Sequence, residues 1–294
     1  RRHLVTVGAR VVEFDHPTVR SAASHGAEGA HRRRAHRLVG GAMVDPAASV
    51  QHLGLGVAGP DAQLAERVAG ASDRLIELGA PVEAARALQL AARLSPDQSA
   101  AAVCLRKAAE LLVDTVEAPA IGPLLDRADL ATTSVVEQIR RAALRIRVGA
   151  RSDDVADAAD ELVALATQVQ QEDPGLAARL LLEALVPQVR SGRAADVLRT
   201  ARRAQAVAGA ADDELLTLRA EVALGGALVA ARDPAGGPML DRFRELLARE
   251  GTIQCGAFLA EVVAPILGFL HRSADAKELL DHLESDLRDR DAIP

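Results

Sequence analysis

The chain has 294 residues, enough for one extended repeat array or two compact domains with a real hydrophobic core. Hydrophobic residues make up 49% and charged residues 26%, a balance that excludes a disordered tail. There is no Trp, no Tyr and only four Phe, so the core must be filled by Leu, Val and Ala, and an Ala/Leu/Arg-rich chain with few β-branched runs predicts closely packed helices, an all-α fold.

Charge divides the chain unevenly. Residues 1–60 carry eight arginines against four acids, a net of +4 within a total of −6, so the remainder carries −10. That asymmetry predicts a boundary near Gly59-Pro60, with residues 1–59 and 60–294 as two domains. The first region opens with VTVGARVVEF, two β-branched runs flanking Gly8-Ala9, the pattern of a short β-hairpin. HPTVRSAASHGA and EGAHRRRAHRLVGGAM then read as two helices parted at Gly26, and Pro46 starts a third that runs to Val57. A hairpin beside short helices is the pattern of a partial winged-helix domain.

From Asp61 onward helix follows helix, with breaks at Gly79-Ala80-Pro81, Ser95-Pro96-Asp97, Asp173-Pro174-Gly175, Ser191-Gly192 and Asp233-Pro234. A period near 34 residues predicts a tetratricopeptide-like α-solenoid. Its best copy is residues 65–98, with Gly79 at the turn, Ala84 and Ala91 where paired helices touch, Leu88 one turn on and Pro96 closing the unit. A second copy spans residues 178–211, with Gly192 at the turn and Ala204 in the second helix. Regions 99–130, 131–170 and 212–249 keep the helical period without these markers. The most apolar stretch, Leu259–Leu270, is too short for a membrane span and contains Glu261 and Pro265, so it reads as a buried helix. Cys104 and Cys255 stand far apart without zinc spacing, which fits a reduced, cytoplasmic setting. A start at Arg1 without a signal sequence reads as a fragment of a longer protein.

Residues 11–96 resemble the central segment of the large ATP-binding regulators of the LuxR type, in the STAND class of signal-transducing ATPases common in actinobacteria. The resemblance rests on VVEFDHPTVRSA, close to the family's pattern of a Phe, one residue, His-Pro, a hydrophobic pair and Arg, followed in order by AHRRRAHRLV, SVQHLGLGVAGPD and GAPVEAARALQLAARLSPD. It implies a winged-helix spacer and a helical sensor array between an ATPase module and a DNA-binding helix-turn-helix of the parent protein. ATP or ADP would belong to that parent: no GxxxxGK[ST] occurs here, so the chain has no Gly-rich cradle with Lys and a Mg²⁺-binding hydroxyl for a triphosphate. The expectation is a non-catalytic sensor and protein-interaction region that takes a small-molecule inducer or a protein partner. The alternative is a plain oligomerisation scaffold of a regulator or cyclase, without ligand.

The resemblance also implies that His16, before Pro17, touches a nucleotide phosphate when the ATPase domain is present; otherwise His16 caps the hairpin. His31, Arg32, Arg33, Arg34, His36 and Arg37 either contact phosphate or form a solvated helix face; the acidic array and the lack of interleaved aromatics favour the solvated face and argue against nucleic-acid binding. Phe243, Phe258 and Phe269, with His271 and Cys255, gather most of the scarce aromatic surface into residues 243–271, as a ligand or partner groove or as the core of the closing repeat. Asp153-Asp154, Glu172-Asp173 and Asp212-Asp213 stand at predicted helix starts, where capping explains them better than acid–base chemistry. His3, His25 and His52 add no metal-ligand spacing, and no GxSxG elbow is present, so neither a metal site nor an enzyme is expected.

Overall fold

The computed structural model describes residues 5–7, 12–14, 16–113, 115–131, 133–149, 155–250, 263–269 and 271–291. β1 (Val5–Val7) and β2 (Val12–Phe14) pair antiparallel, with Val5 opposite Phe14 and Val7 opposite Val12. The other regular structure described is helical, so the chain is all-α apart from this ribbon. No described helix is long and apolar enough to cross a membrane.

Packing separates two compact units, residues 1–132 and 133–294. The first holds α1 (Pro17–Gly26), α2 (Gly29–Ala42), α3 (Pro46–Leu55), α4 (Ala62–Glu77), α5 (Pro81–Leu94), α6 (Gln98–Leu111) and α7 (Ile121–Asp129). The second holds α8 (Val135–Gly149), α9 (Val155–Val169), α10 (Pro174–Arg190), α11 (Ala194–Ala208), α12 (Glu214–Ala230), α13 (Gly236–Asp241), α14 (Phe243–Glu250), α15 (Ala264–Phe269) and α16 (Ser273–Asp291).

The helix starts follow from local chemistry. Asp61, Asp97, Asp173 and Asp213 each turn a carboxylate oxygen onto an amide of the first turn, accepting from Leu64, Ser99, Leu176 and Leu216 at 2.9, 2.9, 2.8 and 3.0 Å. Each satisfies one otherwise orphaned N–H. Asp173 and Asp213 are therefore caps, while Asp153-Asp154 lies outside the described residues. Pro17, Pro81 and Pro174 open their helices, where a missing N–H costs nothing.

Four of the described helix ends share one turn. Gly79 and Gly192 are left-handed, both at φ +71°, and so are Arg232 and His271 at +61° and +56°. In all four turns the next amide reaches back to close the helix: Ala80 to Leu75, Arg193 to Gln188, Asp233 to Leu228 and Arg272 to Leu267, at 2.9 to 3.0 Å. Gly192, Arg232 and His271 mark successive equivalent turns, 40 residues and then 39 residues apart by number. That spacing is longer than the 34 residues expected; between Gly192 and Arg232, α11 and α12 run to 15 and 17 residues.

In the first unit, α5 packs against both α4 and α6 and is buried on most of its surface. Ala84, Leu88 and Ala91 are 0%, 4% and 1% exposed, so the small residues lie where helices meet. Packing does not break near Gly59-Pro60. α3 rests on α4 and α5, Val50 shares a core with Leu64, Val68, Leu90 and Leu94, and the Asp61 amide donates to the Leu94 carbonyl at 2.7 Å. Charge asymmetry marked a change of surface there, and apolar burial runs straight across it.

The second unit has one continuous core from Ile139 to Leu279. Its middle, α12, buries Leu216 through Val229 on nearly every side, since α10, α11, α13, α14 and α15 all pack on it. A buried hydrogen bond from Gln188 Nε2 to Thr200 Oγ1, 3.0 Å, ties α10 to α11.

Across both units, arginines bridge helices that are one hairpin apart. Arg86 meets Glu117, Arg140 meets Asp173, Arg179 meets Asp213, Arg193 meets Asp160 and Arg249 meets Glu214, at 2.7 to 3.2 Å. The partners stand 31 to 35 residues apart. Such exposed pairs contribute about 0–1 kcal/mol each, so they mark register more than they stabilise.

Asp173 and Asp213 combine both features: one carboxylate oxygen caps its own helix and the other takes the arginine from the previous hairpin. The Leu216 amide, and then Arg179, hold the Asp213 carboxyl below its ordinary value. A depressed carboxylate stabilises the fold above its unfolded pKa of about 3.9 and loses that contribution as pH falls through the folded value. Asp213→Ala is therefore expected to cost about 1 kcal/mol at pH 7. The gap from the parent chain should narrow in urea melts below about pH 3.9; an equal gap at both pH values would mean that the carboxylate charge plays no part.

Candidate functional site

The sequence-level candidates fall in separate places. Phe243, which starts α14, is fully buried in the core to which Leu240, Leu246, Val263 and Leu267 also belong, with the Arg244 guanidinium 4.9 Å from its ring centre. It offers no surface to a groove. Its expected ligand role is therefore corrected to a core role, because the largest apolar side chain here gains most from leaving water.

Phe258 and Cys255 lie outside the described residues, and Phe269 is placed only as the last residue of α15. His271 is exposed and takes the left-handed turn position that Gly79 and Gly192 occupy elsewhere. Of the buried helix expected at Leu259–Leu270, the part from Val263 is described; α15 is helical there, with Val263 and Leu267 fully buried.

His16 is exposed and caps α1: its Nδ1 accepts from the Thr18 amide at 3.2 Å and lies 2.6 Å from Thr18 Oγ1. With Nδ1 as acceptor, the neutral ring carries its proton on Nε2. It caps a helix, not the hairpin.

The basic cluster behaves differently. On α2 the spacing i, i+3, i+4, i+7 brings Gly29, Arg32, Arg33 and His36 onto one face. They line a cleft of about 270 Å³ together with Arg93 from the last turn of α5. Leu55, Val57 and Ala58, at and beyond the end of α3, supply its apolar wall.

The cleft is held open by arginines that satisfy carbonyls where α3 ends. Arg37 Nη1 donates to Gly56 O at 2.6 Å, Arg93 Nη2 to Gly54 O at 2.9 Å, and Arg93 Nη1 reaches Val57 O at 3.5 Å. Gly54 lies in the last turn of α3, where its carbonyl also takes the Val57 amide at 3.3 Å, and Gly56 and Val57 follow the helix end, a place that suits cations. α2 and α3 approach closely where Gly40 meets Leu53, a Cβ there lying only 3.0 Å from Leu53, and Ser49 Oγ donates to Gly40 O at 2.7 Å.

Beneath the cleft His36 and His52 face each other, Nδ1 to Nδ1 at 2.9 Å with ring centres 5.1 Å apart. One Nδ1 must donate and the other accept, so at most one of the two carries an Nδ1 proton in this contact. Burial, and then His52, push the His36 pKa down.

Arg33 is half-buried and has no hydrogen-bond or ion-pair partner among the described residues, whereas Arg32 donates to the Ala27 carbonyl at 3.0 Å. No carboxylate is among the described residues that line the cleft. The nearest acid in sequence, Glu28, pairs with His31 at 3.6 Å, both well exposed. The arrangement is a concave, positively charged surface with one apolar wall, suited to holding an anion. Sequence reading gathered Arg32, Arg33 and His36 but not Arg93 or the apolar wall, because nothing in the sequence links the end of α5 to α2.

Searches of protein-family models, of curated proteins and of solved structures find no match to this chain.

Proposed function

We propose that the chain is a non-catalytic sensor and protein-interaction region of a LuxR-type, STAND-class transcriptional regulator, coupling a small inducer or protein partner to ATPase and DNA-binding domains of its parent protein. What supports the repeat-array part of this reading is the recurrence of Arg–carboxylate pairs 31 to 35 residues apart, together with the left-handed turn that closes four of the described helices. A stack of like units, each touching its neighbours, presents extended surfaces for partners. The tetratricopeptide character of the units rests on residues 65–98, with Gly79, Ala84, Leu88 and Ala91, and the winged-helix part rests on the β1–β2 ribbon followed in the chain by α1 to α3. ATP and ADP are assigned to the parent's ATPase, and the setting is read as cytoplasmic.

Thermal denaturation of the chain against a panel of metabolites, with sedimentation to read assembly state, tests the reading. A sensor is expected to find a ligand that raises stability by RT ln(1 + [L]/Kd), about 2.7 kcal/mol at a hundred times Kd. Self-association that no ligand shifts would favour the oligomerisation scaffold. ATP turnover that survives rigorous purification would overturn the non-catalytic reading.

A further inference from the structure

We propose that the cleft between α2, the end of α3 and the end of α5 is a binding site for a small phosphomonoester, its phosphoryl group held by Arg32, Arg33 and Arg93 and its organic part laid against Leu55 and Val57. The site stands on the cleft itself and does not depend on the regulator reading.

Charge and donors carry the assignment. Three guanidinium groups and an imidazole surround about 270 Å³ with no carboxylate among the lining residues. Like charges on adjacent turns repel, and in a partly buried cleft that repulsion is screened less than on an open surface. Arg37 and Arg93 have a local reason to be there, since they satisfy the carbonyls at the end of α3. Arg33 has none: it is half-buried, points no donor at any described protein acceptor, and faces the cleft. A guanidinium carries five N–H donors. Arg93 spends two groups on Val57 and Gly54, which fixes its plane and leaves further donors for a ligand.

Phosphate suits this set better than other anions. Its three terminal oxygens match several planar forks at once, and Arg–phosphate pairs are strong, charge-assisted contacts. The start of α2 adds to this: Gly29 lines the cleft, and Glu28 before it makes no side-chain cap, so the first-turn amides and the positive end of the helix dipole are available at the same end. Leu55 stays 43% exposed at the rim, an apolar surface that a ligand's organic part would cover. A nucleic-acid backbone fits less well, because the volume is that of a small molecule and His36 is the one ring among the described lining residues on which a base could stack.

Arg33→Gln is the informative variant. Arg33 holds no described protein partner, so the fold should keep its melting temperature, whereas Arg93→Gln would also remove the donors from the Gly54 and Val57 carbonyls. Inorganic phosphate, titrated against the full chain at constant ionic strength with chloride as control, is expected to raise the melting temperature and give calorimetric binding. Arg33→Gln should weaken that binding about tenfold or more, as loss of a charge-assisted contact does. Phenyl phosphate should bind more tightly than inorganic phosphate, and Leu55→Ser should erase that advantage while leaving inorganic phosphate unaffected. Stabilisation by phosphate no greater than by chloride, or an Arg33→Gln chain that binds as the parent does, would overturn the site. So would a duplex oligonucleotide that displaces phenyl phosphate in an Arg33-dependent way, since it would assign the cleft to a nucleic-acid backbone.

Discussion

Phe243→Ala is expected to lower stability by about 3 to 5 kcal/mol, read as a shift in the urea midpoint with an unchanged slope. The ring is completely buried at the start of α14, in the continuous core of the second unit, where close packing limits collapse into the space it leaves. The expected loss combines the transfer free energy of the ring with the cavity left behind, and forfeits the Arg244 contact over its face. A groove residue would behave otherwise: truncation would cost less than about 1 kcal/mol, because its ring already touches water in the free chain. The variant thus measures directly whether the aromatic concentration in residues 243–271 begins with a core residue.

Gly225→Ala is expected to destabilise the second unit, although alanine is the better helix former by about 1 kcal/mol. A Cβ at Gly225 would lie 2.4 Å from the Leu240 amide nitrogen and 2.8 Å from two atoms of Met239. Gly236 approaches from the other side, its own added Cβ meeting Gly225 O and Val229 N at 2.6 Å. Two backbones are in contact there, and backbone cannot swing aside as a side chain can. The loss should reach the top of the range of about 1 to 3 kcal/mol typical of overpacking. Gly70→Ala in α4 is the matched control, since nothing lies within 4 Å of its added Cβ. That change should raise stability by about 0.4–1 kcal/mol by restricting the unfolded chain. Thermal melts of the two variants with opposite signs would establish the α12–α13 contact as the cause; a stabilised Gly225→Ala chain would refute the close approach.

Much of the fold was legible because its signals are local. A capping Asp, a first-turn Pro and a left-handed Gly act on amides and carbonyls within five residues, so Asp61, Asp173, Pro81, Gly79 and Gly192 announced helix ends without knowledge of the rest of the chain. The all-α class followed from a composition poor in aromatics and β-branched runs. The turns at Arg232 and His271 were not legible in the same way. Neither is Gly, and their left-handed backbone is imposed by the closing bonds from Asp233 to Leu228 and from Arg272 to Leu267. His271, a candidate because it stands beside the Phe residues of 243–271, takes the turn position.

Long-range packing decided the remainder. Charge counting put a boundary near Gly59-Pro60, but burial of Val50 with Leu90 and Leu94 carries the first unit through to Thr132. Burial of Phe243, the backbone contact at Gly225 and the meeting of Arg93 with Arg33 depend on residues brought together from separate helices. A helix face can be computed from a 3.6-residue period, whereas the partner of that face depends on which packing removes the most apolar surface from water, a property of the whole chain.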